Sequence, residues 1–174
     1  MRGLSFFGAS YENPLIRDIA ETWGDDCSGA TESDTAFCLY NLSWQYYMNL
    51  GIAGVQFPPS GDAIEVKSRI DELDRYEIAC LIQALAHKDR SRPLGFWGLS
   101  YGNELIKDIS ETWDELQSIS EIDRFWLISE LSEKYAELAH RPGAILSDEA
   151  TEIVDRMNEL DSTQLYALIR TLAN

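Results

Sequence analysis

Asp18 and Glu21 stand three residues apart, and Asp108 and Glu111 repeat that spacing further along the chain. Carboxylates one helical turn apart could hold a metal ion or share acid/base work. The helical wheel separates them, because Asp18 borders an apolar stripe beside Thr22 whereas Glu21 points to the far side. Glu21 also has Arg17 four residues back, as Glu111 has Lys107, and such helix pairs contribute about 0.2–0.5 kcal/mol. The two histidines, His87 and His140, fall at unmatched places. The expectation is no metal and no cofactor.

Arg69 and Arg156 are basic residues held identically at matched positions, each with a glutamate one turn on, Glu72 or Glu159. They read as structural ion pairs, with Asp18 and Asp108 as rival partners. An anion site is the sharper alternative, disfavoured in a chain of formal charge −16. There is no glycine-rich phosphate loop, no Gly-x-Ser-x-Gly elbow, no His-Glu-x-x-His and no Cys-x-x-Cys. The expectation is a non-enzymatic protein, with no catalytic residue to nominate.

These residues sit on a sequence that repeats. Phe6–Trp23 returns as Phe96–Trp113 with about two-thirds of paired positions identical. Arg69-Ile70-Asp71-Glu72-Leu73-Asp74 returns as Arg156-Met157-Asn158-Glu159-Leu160-Asp161. Internal repetition bounds the architecture before anything else does. The reading is an all-α fold, a tandem repeat of two four-helix units, 1–88 and 89–174, about eight helices in a pseudo-symmetric bundle. Strand signals are weak, without alternating β-branched stretches or Asn-Gly and Asp-Gly hairpin dipeptides.

Local signals place the helices. Asn13-Pro14 and Asn103-Glu104 start the first helix of each unit, whose apolar stripe ends on Trp23 or Trp113. The second helix is expected over about Asp34 to Leu50 and Ser120 to Ala139, with Ser118 and Glu121 reading as a capping box for the latter. The third starts near Ser60 or Asp62 and near Ser147. The fourth starts at Asp74-x-x-Glu77 and Asp161-x-x-Gln164, both capping-box patterns. In the segment before the first helix, Phe6 and Tyr11, like Tyr101 in the second copy, are expected to plug the bundle end. Gly8 takes a turn there, and Asn13 or Asn103 caps the helix; a loop aimed at a ligand is the functional alternative. Tyr11, Asn13, Asp18, Trp23 and Arg69, with Tyr101, Asn103, Asp108, Trp113 and Arg156, therefore read as repeat-matched structural residues.

Composition limits the partners. The chain carries 6 basic and 13 acidic residues through Lys88, then 8 and 17. Evenly spread acidity disfavours direct nucleic-acid binding, which needs a basic patch, and disfavours anionic membrane. No apolar run is long enough to span a bilayer. The N-terminus lacks the basic and apolar regions of a secretory signal, and Cys27, Cys38 and Cys80 are odd in number and confined to the first copy. A cytoplasmic, reducing location is expected.

The most useful signal is a difference between the copies. Aligning Leu42-Ser43 with Leu131-Ser132 places Asn41, Trp44, Gln45 and Met48 opposite Glu130, Glu133, Lys134 and Glu137. The spacing i, i+3, i+4, i+7 is one helix stripe. Aromatic residues and Met favour interfaces and Glu and Lys do not, so Asn41, Trp44, Gln45, Met48 and neighbouring Tyr47 are partner-binding candidates. The internal alternative is that the Gly51–Pro59 loop or the second copy covers them. The functional expectation is an adaptor, assembly factor or regulator binding a protein partner, a basic one being allowed, or its own copy. Two alternatives are an acidic inhibitor or decoy on a basic surface and a carrier of an apolar small molecule.

Overall fold

The computed structural model describes residues 2–140, 143 and 145–174. Its eight α-helices are α1 (Pro14–Trp23), α2 (Glu32–Asn49), α3 (Gly61–Ser68), α4 (Arg75–Ala86), α5 (Glu104–Thr112), α6 (Glu121–Ala139), α7 (Asp148–Arg156) and α8 (Ser162–Ala173). Among the described residues there is no strand, only an isolated bridge between Ile52 and Val55. None of the described helices is long and apolar enough to cross a membrane. The fold is an all-α bundle.

Caps explain most helix starts. The Asn13 and Asn103 side chains accept from the amides of Leu15 and Ile16, and of Leu105 and Ile106. Asp74 and Asp161 form complete capping boxes with Glu77 and Gln164. The start of α2 falls earlier than expected, because Thr31 rather than a later residue accepts from the Asp34 amide. The start of α6 is capped by Ser120, which accepts from Asp123 N; the Ser118–Glu121 capping box does not form. Thr31-x-x-Asp34 and Ser120-x-x-Asp123 are thus one motif in two copies.

The long helices α2 and α6 form the central pair, with α4 laid on α6 and α8 on α2. Helix α1 packs on α7, and α3 packs on both α5 and α6. Each of these contacts joins a helix before Lys88 to one after it. A single cluster of buried side chains runs through the molecule, with Trp23 and Trp113 both inside it. The reason lies in the apolar stripes. Helices as short as α1 and α5 bury Leu15, Ile16 and Ile19, or Leu105, Ile106 and Ile109, and must find another surface to bury them on.

Polar contacts tie the same crossings. Buried Asp34 accepts from the Ser147 amide at 2.9 Å, and buried Asp123 accepts from Ser60 N and Oγ at 2.8 and 2.6 Å. Each carboxylate at the start of a long helix thereby holds the N-cap serine of α7 or α3.

Candidate functional site

The aspartate of each acid pair, but not Glu21 or Glu111, is drawn into an ion pair among the described residues. Arg69 Nη1 donates to Asp108 at 2.6 Å, while its Nε and Nη2 hold Glu72 at 2.6 and 3.0 Å. Arg156 holds Asp18 at 2.8 Å, Glu159 at 2.9 and 3.0 Å, and Glu152 at 2.8 Å. Both aspartates thus face an arginine from the other half of the chain. Hydrogen bonds from these arginines hold the Glu72 and Glu159 carboxyls below the usual carboxylate range. Among the described residues no group of three His, Cys, Asp or Glu side chains is placed to hold a metal ion.

The segments before α1 and α5 are joints with a different plug from the one expected. Phe6 and Tyr11 are exposed, as are Phe96 and Tyr101; Leu4, Ala9, Leu94 and Leu99 are the residues buried there. Sequence spacing could not separate these, because each short turn carries apolar residues on several faces. Phe6 and Phe96 instead lie under the guanidinium groups of Arg2 and Arg92, each 4.2 Å from the ring centre. Tyr101 donates to Glu115. Gly8 and Gly98, with φ of 99° and 95°, make the turn. Asn13 Nδ2 donates to the Glu159 carbonyl and Gln164, and Asn103 Nδ2 to the Glu72 carbonyl and Glu77.

The stripe on α2 divides. Trp44 and Met48 are 39% and 43% exposed, whereas Asn41 and Gln45 are half-buried and satisfied locally, donating to the Phe37 carbonyl and to Asn49. Tyr47 is buried and works as an anchor: its ring lies 5.3 Å from that of Trp44, and its hydroxyl donates to the Phe57 carbonyl at 2.7 Å. The loop it holds exposes Ile52, Val55 and Phe57. The last turns of α2 and the following loop therefore both expose apolar side chains, and the chain covers Trp44 and Met48 only in part.

The matching stripe on α6 is no simple solvated face, as the sequence had suggested. Glu130 pairs with Lys67 at 2.9 Å with only 10% of its side chain exposed, and Lys134 pairs with Asp71 at 2.8 Å. These bonds seal α6 to the segment from α3 onward. Two residues before Arg156 stands Val154, and two after it stands Asn158, where Lys67 and Asp71 stand around Arg69. The charges at Lys67 and Asp71 that Glu130 and Lys134 meet are thus missing at the matched positions, and Asn41 and Gln45 are likewise uncharged. Of the four stripe residues on α6 only Glu133 and Glu137 are exposed, and their counterparts are Trp44 and Met48.

One buried cation escaped the sequence reading. Arg124 is 3% exposed. It donates from Nε to the Leu85 carbonyl, from Nη2 to the carbonyls of Ala86 and His87 at 3.1 and 3.2 Å and to the Tyr166 hydroxyl, and from Nη1 to Glu121 at 3.0 Å. A guanidinium thus caps the negative C-terminal end of α4, where last-turn carbonyls lack helical partners. The available signal was the contrast of Arg124-Phe125 with Thr35-Ala36, directly after the matched aspartates.

Compared with protein-family models, curated proteins and solved structures, the chain matches none.

Proposed function

We propose that this chain is a non-enzymatic, acidic helical protein that acts by binding another protein, and that the binding face is the exposed end of α2 with its following loop. The observation that carries the reading is the pair Trp44 and Met48, exposed at positions where α6 carries Glu133 and Glu137. Leaving Trp and Met in water forfeits the burial of large apolar side chains. Ile52, Val55 and Phe57 of the following loop are exposed as well, and exposed apolar area marks interaction sites. Trp is among the residues that most often dominate binding energy. The buried free thiols of Cys27, Cys38 and Cys80 support a reducing, cytoplasmic setting.

The partner is a protein with an apolar socket, either a different chain or a second copy of this one. The test is Trp44→Glu, compared with wild type by sedimentation and by affinity purification from the native host. The expected outcome is unchanged helix content and stability within about 0.5 kcal/mol, as for a surface change, with loss of self-association or of the recovered partner. Unchanged oligomeric state and unchanged partner recovery would remove this reading. A complex that survives Trp44→Glu but falls apart steeply with rising salt would replace it with recognition by carboxylates.

A further inference from the structure

The C-terminal ends of α4 and α8 are built from matched residues but differ inside. Three large side chains fill the first, with a groove of about 520 Å³ running outside them past Tyr46, Glu121, Arg124 and Tyr166, and the second is hollow. At the end of α4, Arg124, Phe125 and Tyr166 occupy the space. The guanidinium carbon of Arg124 lies 5.0 Å from the Phe125 ring and 5.2 Å from the Tyr166 ring. Tyr46 stacks on Phe125 at 3.9 Å. The residues opposite these three are Thr35, Ala36 and Ala79, the last standing one after Ile78 as Tyr166 stands one after Leu165. All three line a cavity of about 310 Å³ at the end of α8. Three large side chains have become small at once, and the space they would fill is open.

The cavity keeps the surroundings that a guanidinium uses at the other end. Leu172 and Ala173, the counterparts of Leu85 and Ala86, line it, and so does Glu32, the counterpart of Glu121. Last-turn carbonyls and the helix dipole favour a cation there. Tyr135, the counterpart of Tyr46, forms one wall without an aromatic ring to stack on among the described residues, because Ala36 stands in place of Phe125. Asp26 adds a second carboxylate, and no Lys, Arg or His lines the space. The salt bridge from Arg75 reaches Glu32 at 3.5 Å, and Arg75 is not part of the lining. Leu39 and Ile82 make the remainder apolar. Ser132 Oγ, buried and without a partner, also lines it; its counterpart Ser43 is equally unpartnered, so that orphan is common to both halves and does not mark the site.

The geometry points to a binding site, at the C-terminal end of α8, for a guanidinium carried beside an aromatic ring, which takes the place that Arg124, Phe125 and Tyr166 fill at the end of α4. The cation donates to the α8 carbonyls and Glu32, and the ring stacks on Tyr135 over the apolar wall. A large space with a few convergent polar groups is the ordinary form of a small-ligand pocket, and cation–aromatic contact adds to it. Trp44, Met48 and the loop beyond them do not line the cavity, so the site is separate from the proposed protein-binding face. The ligand chemistry has two sources, a free arylalkylguanidine or an Arg-aromatic pair on another protein.

The test is calorimetric titration of the wild-type chain with 2-phenylethylguanidinium chloride, with the neutral 2-phenylethylurea as control. The expected result is saturable binding of one equivalent and about tenfold weaker binding of the urea, the size of one charge-assisted hydrogen bond. The triple variant Thr35→Arg, Ala36→Phe, Ala79→Tyr rebuilds the filled end and should lose binding by at least that factor. Absence of saturable binding to wild type, or equal binding by the triple variant, overturns the proposal. Should the triple variant fail to fold, Glu32→Gln decides: weaker binding of the cation with unchanged binding of the urea supports the site, and unchanged binding of both overturns it. A parallel titration with acetyl-Arg-Tyr-amide separates the sources, tighter peptide binding assigning the site to a protein's arginine and tighter binding of the small guanidine assigning it to a free ligand.

Discussion

At the end of α4 an arginine, a phenylalanine and a tyrosine fill the space that a threonine and two alanines leave open at the end of α8. Along α6 two glutamates face water where α2 presents Trp44 and Met48. Elsewhere the halves agree closely. Asn13 and Asn103 reach the same carbonyl and the same N3 side chain across the molecule, Asp34 and Asp123 hold the same serine, and Arg156 and Arg69 hold the same aspartate. Contacts that appear twice are those this packing requires, since each joins a helix of one half to a helix of the other. The two departures named first open a surface or a space, whereas a third, the Lys67–Glu130 and Asp71–Lys134 pairs, adds charge to a packed seam.

The largest expected effects test the agreement. Trp23→Ala and Trp113→Ala each truncate a ring about 5% exposed, and each should cost about 3–5 kcal/mol in urea unfolding. A cost for one and none for the other would show that the halves are not equivalent where they look most alike.

Next comes the clearest disagreement. Arg124→Ala strips the donor from three carbonyls and a tyrosine hydroxyl. Leaving such groups buried and unsatisfied should cost about 3 kcal/mol, whereas Thr35→Ala at the matched site should cost less than about 1 kcal/mol. Equal losses would mean that Thr35 has a partner of its own and that the open end is not open.

Asp34→Ala and Asp123→Ala fall below these, at about 1–3 kcal/mol each, because each orphans the amide of a helix cap. Hydrogen exchange should locate the damage across the molecule, at the start of α7 for Asp34 and of α3 for Asp123. Protection lost around the mutated residue instead would place the effect in α2 or α6 themselves.

The smallest effect concerns Glu149. Burial is the main cause that holds its carboxyl above the ordinary range, with Glu152 and Asp18 adding repulsion, and its Oε1 is buried without a partner. A raised folded value means that the group supports folding below its unfolded value and loses that support as pH rises through the folded one. Glu149→Gln should therefore raise the midpoint of thermal unfolding slightly at pH 7 and leave it unchanged near pH 4.

Much of the fold was legible because its signals are local. The capping boxes at Asp74 and Asp161 and the Asn caps before α1 and α5 depend on residues three apart and formed as read. The Ser118 box failed because Ser120 offers a cap two residues nearer the helix, with Asp123 at N3 also needed by Ser60. Trp44 and Met48 stood out through the internal comparison, while Tyr47 was misjudged because its wheel position says nothing of the loop that folds back onto it.

Helix type, helix number and the caps of α1, α4, α5 and α8 were determined by the sequence alone, since apolar period and capping chemistry act within a few residues. Tertiary structure decided which stripe meets which. That choice placed α1 on α7 and α3 on α5, turned Glu130 and Lys134 from surface charges into a seam with Lys67 and Asp71, and buried Arg124 against carbonyls about forty residues earlier. An apolar stripe states that it must be covered and not by what, because hydrophobic burial is non-directional. The partners are chosen by shape and by the few polar bonds that only one arrangement satisfies.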